Sequence, residues 1–352
     1  MSPKPHLSRS KENIRVQQWV VVVAILLFTL KIIAYYLTQS VAILTDALES
    51  TVNVIAGVIG LYSLWVAAKP RDADHPYGHG KAEFLSAAVE GSLVIMAGLI
   101  IIYEAVIDLI HPHPIQKLDK GIFLVGVTAI INFVVGTICI HKGRRNQSMA
   151  LVASGKHLRT DTYSTVGIIL GLVIIIMTRL IWVDAIVSVF FAGIILYTGY
   201  QILRSSIAGI MDEADLQLLN KMIAYINLHR RENWIDLHNL RVIKYGGLLH
   251  LDCHLTVPWY LNVHEAHVEI DALTSMIRRE FGETTEFFVH SDGCLDFSCR
   301  ICSKETCPVR KHAFEEKIEW TLRNVVPNKK HESPRSQVPK DQLPIEFPEA
   351  DA

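Results

Sequence analysis

Six long apolar runs fill the first ~200 residues, and they constrain the fold more than any other feature of the chain. They cover 16–37, 41–67, 85–110, 122–141, 163–180 and 183–203. An apolar helix needs ~20 residues to cross a ~30 Å hydrocarbon core, and these runs have about that length or more. Core helices of soluble proteins rarely follow one another in this way with only short polar breaks. The expected fold therefore begins with a membrane all-α, six-helix transmembrane bundle. A basic start (Lys4, Arg9, Lys11, Arg15) leads into the first run with no small-residue cleavage site, so no cleavable signal peptide is expected. Lys and Arg also gather at Lys69, Arg71 and Lys81, and at Lys142, Arg144, Arg145 and Lys156. The positive-inside bias then puts both termini in the cytosol. The expected setting is a bacterial cytoplasmic (inner) membrane, with the lipid bilayer as partner. A formal net charge of −1 gives no basis for nucleic-acid binding.

Beyond about residue 206 the pattern changes to that of a small soluble domain. Leu216, Leu219, Met222, Ile223 and Ile226 recur at helical spacing within 215–230. Residues 237–245 and 248–257 read as strands joined by Gly246-Gly247, a hairpin signal. A second helix over 263–281 and a third strand over 285–290 complete an α-β-β-α-β order, which suits a small α+β sheet with helices on one face. The sequence thus divides into a cytosolic segment 1–15, a membrane domain 16–206, a cytosolic domain 207–293, a four-cysteine segment with a short helix over 309–325 within 294–326, and a tail 327–352. Pro, Lys and Glu dominate the tail, which is expected to be disordered.

Two ligand-type pairs lie in the apolar helices, one within the second run and one just ahead of the fifth. Glu49 and Asn53 are four residues apart, as are His157 and Asp161, so each pair shares one helix face. Ionisable groups in a membrane span are costly and mark ion or proton paths. Carboxylate, amide and imidazole together suit a divalent transition metal. Asp46 lies one turn before Glu49, as an outer-shell group, proton acceptor or substitute ligand. Lys31 sits toward the end of its run and can reach the interface, whereas Glu90 is deeper and can pair within the bundle. Asp72, His75 and His79 form a second ligand-type cluster in a polar loop. Cys294, Cys299, Cys302 and Cys307 stand as C-x4-C-x2-C-x4-C, the donor set of a closed zinc site. Their first three also have the spacing of plant-type iron–sulfur proteins. Cys139 and Cys253 read as small hydrophobes. The sequence carries no hydrolase or transferase motif, so no enzymatic activity is expected.

Several separate stretches resemble the cation diffusion facilitator family, over roughly residues 15–293. They are SVAILTDALESTVN (40–53), DADHPYGHGKAE (72–83), SGKHLRTD (154–161) and IMDEA (210–214). The resemblance implies a homodimer that exports divalent metal in exchange for protons, with a metallochaperone-like cytosolic domain that senses metal. It implies a transport site at Glu49, Asn53, His157 and Asp161. The chain departs from the family pattern there, since His or Asp is usual at position 49 and Asp at position 53. The spacing of Asp72, His75 and His79 resembles a secondary family site. His238, His254, His267, His290 and Asp292 fall where the family's cytosolic ligands lie, and Lys81 with Asp212 where a dimer-hinge ion pair could form. Zinc is expected at the cytosolic sites, and zinc, iron, manganese or cobalt as cargo. Two alternatives remain at this stage: a non-transporting metal sensor or assembly factor on the same fold, and a membrane redox protein with an iron–sulfur site at the four cysteines.

Overall fold

The computed structural model describes residues 5–38, 41–110, 118–178, 182–245, 248–282 and 285–333. Side chains of some further residues, 34–49 among them, lie outside the described set. The chain divides after Asp212 into a helical unit and a mixed unit.

The helical unit contains α1 (Pro5–Thr38), α2 (Val41–Ala67), α3 (Ala82–Ile110), α4 (Leu118–Asn146), α5 (Met149–Thr178) and α6 (Trp182–Ile210). By length and hydropathy, Arg9–Ile33, Ala82–Ile107 and Gly126–Asn146 suffice to cross a membrane among the described residues, and Asn53–Ala67 is a shorter apolar stretch. Trp19, Tyr62, Trp65, Tyr103, Phe190 and Tyr197 are more than half exposed, as side chains facing lipid would be. The most extensive packing is α3 on α6 and α4 on α5. Each pair crosses at glycines. A Cβ on Gly91 would lie 2.9 Å from Leu203 N, and one on Gly155 would lie 2.7 Å from Gly136 O. Small residues let backbones approach where the bilayer supplies no hydrophobic drive between helices.

The fifth helix extends well ahead of the apolar run 163–180. It begins at Met149, so the connection from α4 is residues 147–148 alone. Lys142, Arg144 and Arg145 therefore lie on the last turns of α4, and Lys156 lies on α5 itself. Residues 149–162 are too polar to extend the apolar run, yet Leu151, Ser154, His157 and Thr160 are buried against neighbouring helices.

The mixed unit contains α7 (Leu216–Leu228), β1 (Asp236–Tyr245), β2 (Leu248–Val257), α8 (Val263–Phe281) and β3 (Glu286–Gly293). Asp215 caps α7 by accepting the Leu218 amide at 2.9 Å, and Asn262 with Glu265 forms a reciprocal capping box on α8. The sheet order is β1-β2-β3, with β2 and β3 parallel. Two residues separate β1 from β2, which requires an antiparallel pair, whereas α8 is the crossover that a parallel pair needs. The expected hairpin residues Gly246 and Gly247 lie outside the described residues. Leu219, Met222, Ile223 and Ile226 of α7 and Leu273 and Ile277 of α8 pack with Leu237, Leu251 and Leu255 of the sheet.

The end of the chain differs from expectation in two ways. Helix over 309–325 shrinks to α9 (Leu322–Val325), preceded by an irregular path from 309. Residues 327–333, expected to be disordered, are laid along the sheet: Asn239 donates its amide to Pro327 O at 3.0 Å, and Ser333 is fully buried. Residues 334–352 lie outside the described residues.

Candidate metal centres

The membrane pair on α5 is assembled by helical spacing. His157 Nε2 and Asp161 Oδ1 lie 3.8 Å apart. That is too long for a hydrogen bond, yet two ligand atoms each ~2.0–2.1 Å from one ion can lie this far apart. Asn53 of α2 joins them, donating its amide to Asp161 Oδ2 at 2.6 Å. The other ring nitrogen of His157 faces Glu90 of α3, with Nδ1 and Oε1 3.3 Å apart. The structure thus brings together Asn53, His157 and Asp161; the side chains of Asp46 and Glu49 lie outside the described set.

Two groups of three ligand atoms lie within 4.8 Å of one another among the described residues. The first is Asp72, His75 and His79. Asp72 Oδ1 is 3.0 Å from His75 Nδ1, and its Oδ2 is 3.4 Å from His79 Nε2. Gly78 lies at a φ of 90° in the turn between them, and the two rings are tilted with centroids 4.2 Å apart. His79 Nδ1 is buried with no hydrogen-bond partner.

The second group is His238, His254 and Asp292, one residue from each strand. Register explains it. His254 and His290 are direct partners across the parallel pair, and Asp292 stands two residues on, on the same face. Asp292 Oδ2 lies 3.4 Å from His238 Nε2 and 3.4 Å from His254 Nδ1, and it is buried with no hydrogen-bond partner. An orphaned carboxylate oxygen facing two imidazoles fits a divalent ion. The His290 ring lies 4.7 Å from that of His254, and its Nε2 is 3.7 Å from Asp292 Oδ1. Burial, together with the neighbouring His238 and His290, holds the His254 imidazole below its ordinary range against the pull of Asp292, which favours the neutral, metal-ready ring. His267 does not join within this chain: it is exposed on α8 and pairs with Asp271 at 3.7 Å. Lys81 and Asp212 form an ion pair at 2.8 Å, with Asp212 at a φ of 58° just past α6.

Comparison with known proteins shows the family of the chain. Residues 18–211 match the family model described as the cation efflux transmembrane domain, and residues 218–294 match the cation efflux protein cytoplasmic domain. The chain belongs to the cation diffusion facilitator family. It is 33% identical to an uncharacterized transporter of Synechocystis over 70% of this chain and 80% of that protein. It is 24% identical to the manganese efflux system protein MneP of Bacillus subtilis, covering 72% of this chain and 86% of the relative. It is also 24% identical to the cation-efflux pump FieF of Shewanella oneidensis, covering 77% and 91%. This family consists of cation-efflux transporters rather than enzymes, and the chain is a membrane protein with a cytoplasmic domain.

Three cysteines of the four-cysteine segment lie beyond the region that matches the family models. All four are free thiols. They share one loop, although no three sulfurs form a group as tight as the two above. Cys294 Sγ accepts the Trp259 amide at 3.4 Å, and Cys302 is buried beside Ile235 and Ile301. Arg310 ties the loop together by donating to the carbonyls of Cys299, Cys302 and Lys304 at 2.9, 2.9 and 2.6 Å. Burial pushes the Cys294 thiol up; the Trp259 amide opposes this, and Cys302, Cys299 and Cys307 add to it. Deprotonating several such thiols together requires a cation among them.

Some residues of this transporter's sites escaped sequence reasoning. Lys31 is buried, not interfacial, and donates to Ser50 Oγ at 2.8 Å; it lines a small cavity with Asn53 and Asn132. Asp236 lies 3.4 Å from His238 Nδ1 and binds the ring and amide of His331 from the end of the chain. The adjacent Lys330 reaches Asp292 at 3.5 Å. Apart from Asp236 and His238, which alternate on β1, the partners come from distant elements, so no local spacing marks them.

Proposed function

We propose that the chain exports a divalent transition-metal cation by exchange with protons, as a homodimer in the bacterial cytoplasmic membrane with both termini in the cytosol. The observation that carries this reading is the pair of acceptors, His157 Nε2 and Asp161 Oδ1, 3.8 Å apart on α5 with Asn53 alongside. Glu49, one turn before Asn53, would supply the fourth side chain, with Asp46 behind it. Neutral His157 would bind the ion, and protonated His157 would reject it, which makes metal and proton occupancy mutually exclusive. Alternating exposure of the site to the two sides would then carry one inward and the other outward. Glu49 and Asn53 are harder donors than imidazole, so manganese and iron fit at least as well as zinc or cobalt. Zinc would sit at the His238–His254–Asp292 cluster, with His290 beside it, and at the Asp72–His75–His79 loop, reporting cytosolic metal to the dimer. His267, exposed on α8, would lie outside this single-chain cluster, and Lys81–Asp212 would brace the hinge. A further zinc would close the four-cysteine loop.

A second reading has one observation in its favour. The Asn53 amide already occupies an oxygen of Asp161, as it would in a protein that senses metal without moving it. Flux in sealed vesicles across a panel of divalent ions separates the two. Transport predicts saturable flux that Asp161→Ala abolishes in a folded protein. Metal binding without flux for any ion would contradict transport.

A further inference from the structure

A buried carboxylate on α3 has no role in the account so far. Glu90 is 5% exposed, and both of its oxygens are directed at α5. Oε1 faces His157 Nδ1 at 3.3 Å, and Oε2 accepts from Ser154 Oγ at 3.1 Å. Ser154 in turn accepts from the fully buried Gln17 of α1 at 3.3 Å, and Gln17 also donates to Gly57 O of α2 at 3.1 Å. One polar chain therefore links α1, α2, α3 and α5, and it ends on a ring nitrogen of His157.

A neutral imidazole carries one N–H and one lone pair. A carboxylate facing Nδ1 holds the proton there, so that Nε2 presents its lone pair. Nε2 is the nitrogen that faces Asp161 across 3.8 Å. The acid also lies where charge is missing, because Asn53 brings an oxygen but no negative charge from α2. We propose that Glu90 is a positioning residue of the transport site: it fixes the ring and tautomer of His157, and it supplies from α3 the negative charge that Asn53 does not bring from α2. This proposal rests on the reading that His157 and Asp161 hold the cargo ion.

The test uses full-length protein and the metal alone. Manganese and zinc binding are measured at equilibrium in detergent, and the concentration dependence of flux is measured in vesicles. Glu90→Gln keeps the size and the Ser154 contact but removes the charge. It is expected to weaken binding about 10-fold or more, as loss of a carboxylate behind a histidine ligand does. It should raise KM for the ion more than it lowers maximal flux, as loss of binding common to ground and transition states does. Adding Asn53→Asp to Glu90→Gln should recover most of the affinity. Glu90→Asp, which keeps the charge, should fall between wild type and Glu90→Gln. Wild-type affinity and KM in Glu90→Gln would overturn the proposal, as would a loss that Asn53→Asp leaves unrepaired. Equal losses in Glu90→Gln and Glu90→Asp, with a lowered thermal midpoint, would mark a packing role and overturn it too. Asp161→Ala, run in parallel, keeps the failures apart: wild-type binding there sinks the site itself, not the role of Glu90.

Discussion

The membrane site and the sheet cluster use the same chemistry in opposite ways. At the membrane site one imidazole is held at Nδ1 by Glu90 on α3, its Nε2 faces Asp161 on α5 across 3.8 Å, and an amide from α2 donates to the same Asp161. At the sheet, three strands bring two imidazoles to one orphaned carboxylate oxygen, and the β2–β3 register sets His254 beside the strand that carries Asp292. Helices that pack through glycines can move against one another and reshape a site between them. Strands in one hydrogen-bonded sheet cannot do so without breaking the ladder. In the function proposed, the first arrangement would serve an ion that must be released, and the second an ion that stays and reports. The ends of the two sites also differ. Residues 327–333 put Lys330 against Asp292 Oδ1, the carboxylate oxygen next to the one that faces the imidazoles, whereas Lys31 near Asn53 is bound to Ser50.

The largest expected effect separates the sites outright. Asp161→Ala should reduce flux to background, while the His238→Ala, His254→Ala double variant should keep maximal flux and lose the response to cytosolic metal. Loss of maximal flux in both would break the comparison. Next comes the four-cysteine loop. Replacing Cys299 and Cys302 with Ser should release about one zinc per chain and expose residues 294–333 to protease. A brown protein containing iron and sulfide would point to an iron–sulfur site instead. A pH series sharpens the contrast further. The folded pKa of His254 is held below the ordinary ~6.5, so the ring stays neutral as pH falls through that value. Metal binding at the sheet should therefore persist below pH ~6.5 and fall away as pH passes through the lower folded value; titration with an isolated metal reporter measures it. The smallest effect is at Lys330. Lys330→Ala should tighten sheet-site binding by at most about 5-fold, since a partly exposed ion pair contributes under ~1 kcal/mol. Weaker binding would show that the lysine organises the site instead of competing for it.

What was legible in the sequence follows from where each signal lives. His157 and Asp161 announce themselves because a helix puts residues four apart on one face. The boundaries of β2 and α8 match because their hydrophobic periods are undisturbed and Asn262 caps the helix. The apolar run 163–180 marks only part of α5, because the polar residues before it bury against helices instead of facing lipid, which hydropathy cannot see. Glu90 reads as a lone acid in an apolar run, since its partners lie more than sixty residues away. The tail reads as disordered from its Pro, Lys and Glu, yet Lys330 and His331 find carboxylates that β1 and β3 hold in place. Charged residues between 309 and 321 suggested a helix, but there the chain is pinned irregularly, with Arg300 taking Glu315 at 2.6 Å and Arg230 taking Ile318 O at 2.7 Å.

The most direct test of the account is the simultaneous recording of metal and pH inside sealed vesicles holding the full-length protein. A metal gradient should drive protons the opposite way, in fixed ratio to the metal moved, and His157→Ala should abolish that coupled movement. Metal flux with no accompanying proton movement, or coupled flux that survives His157→Ala, would contradict it.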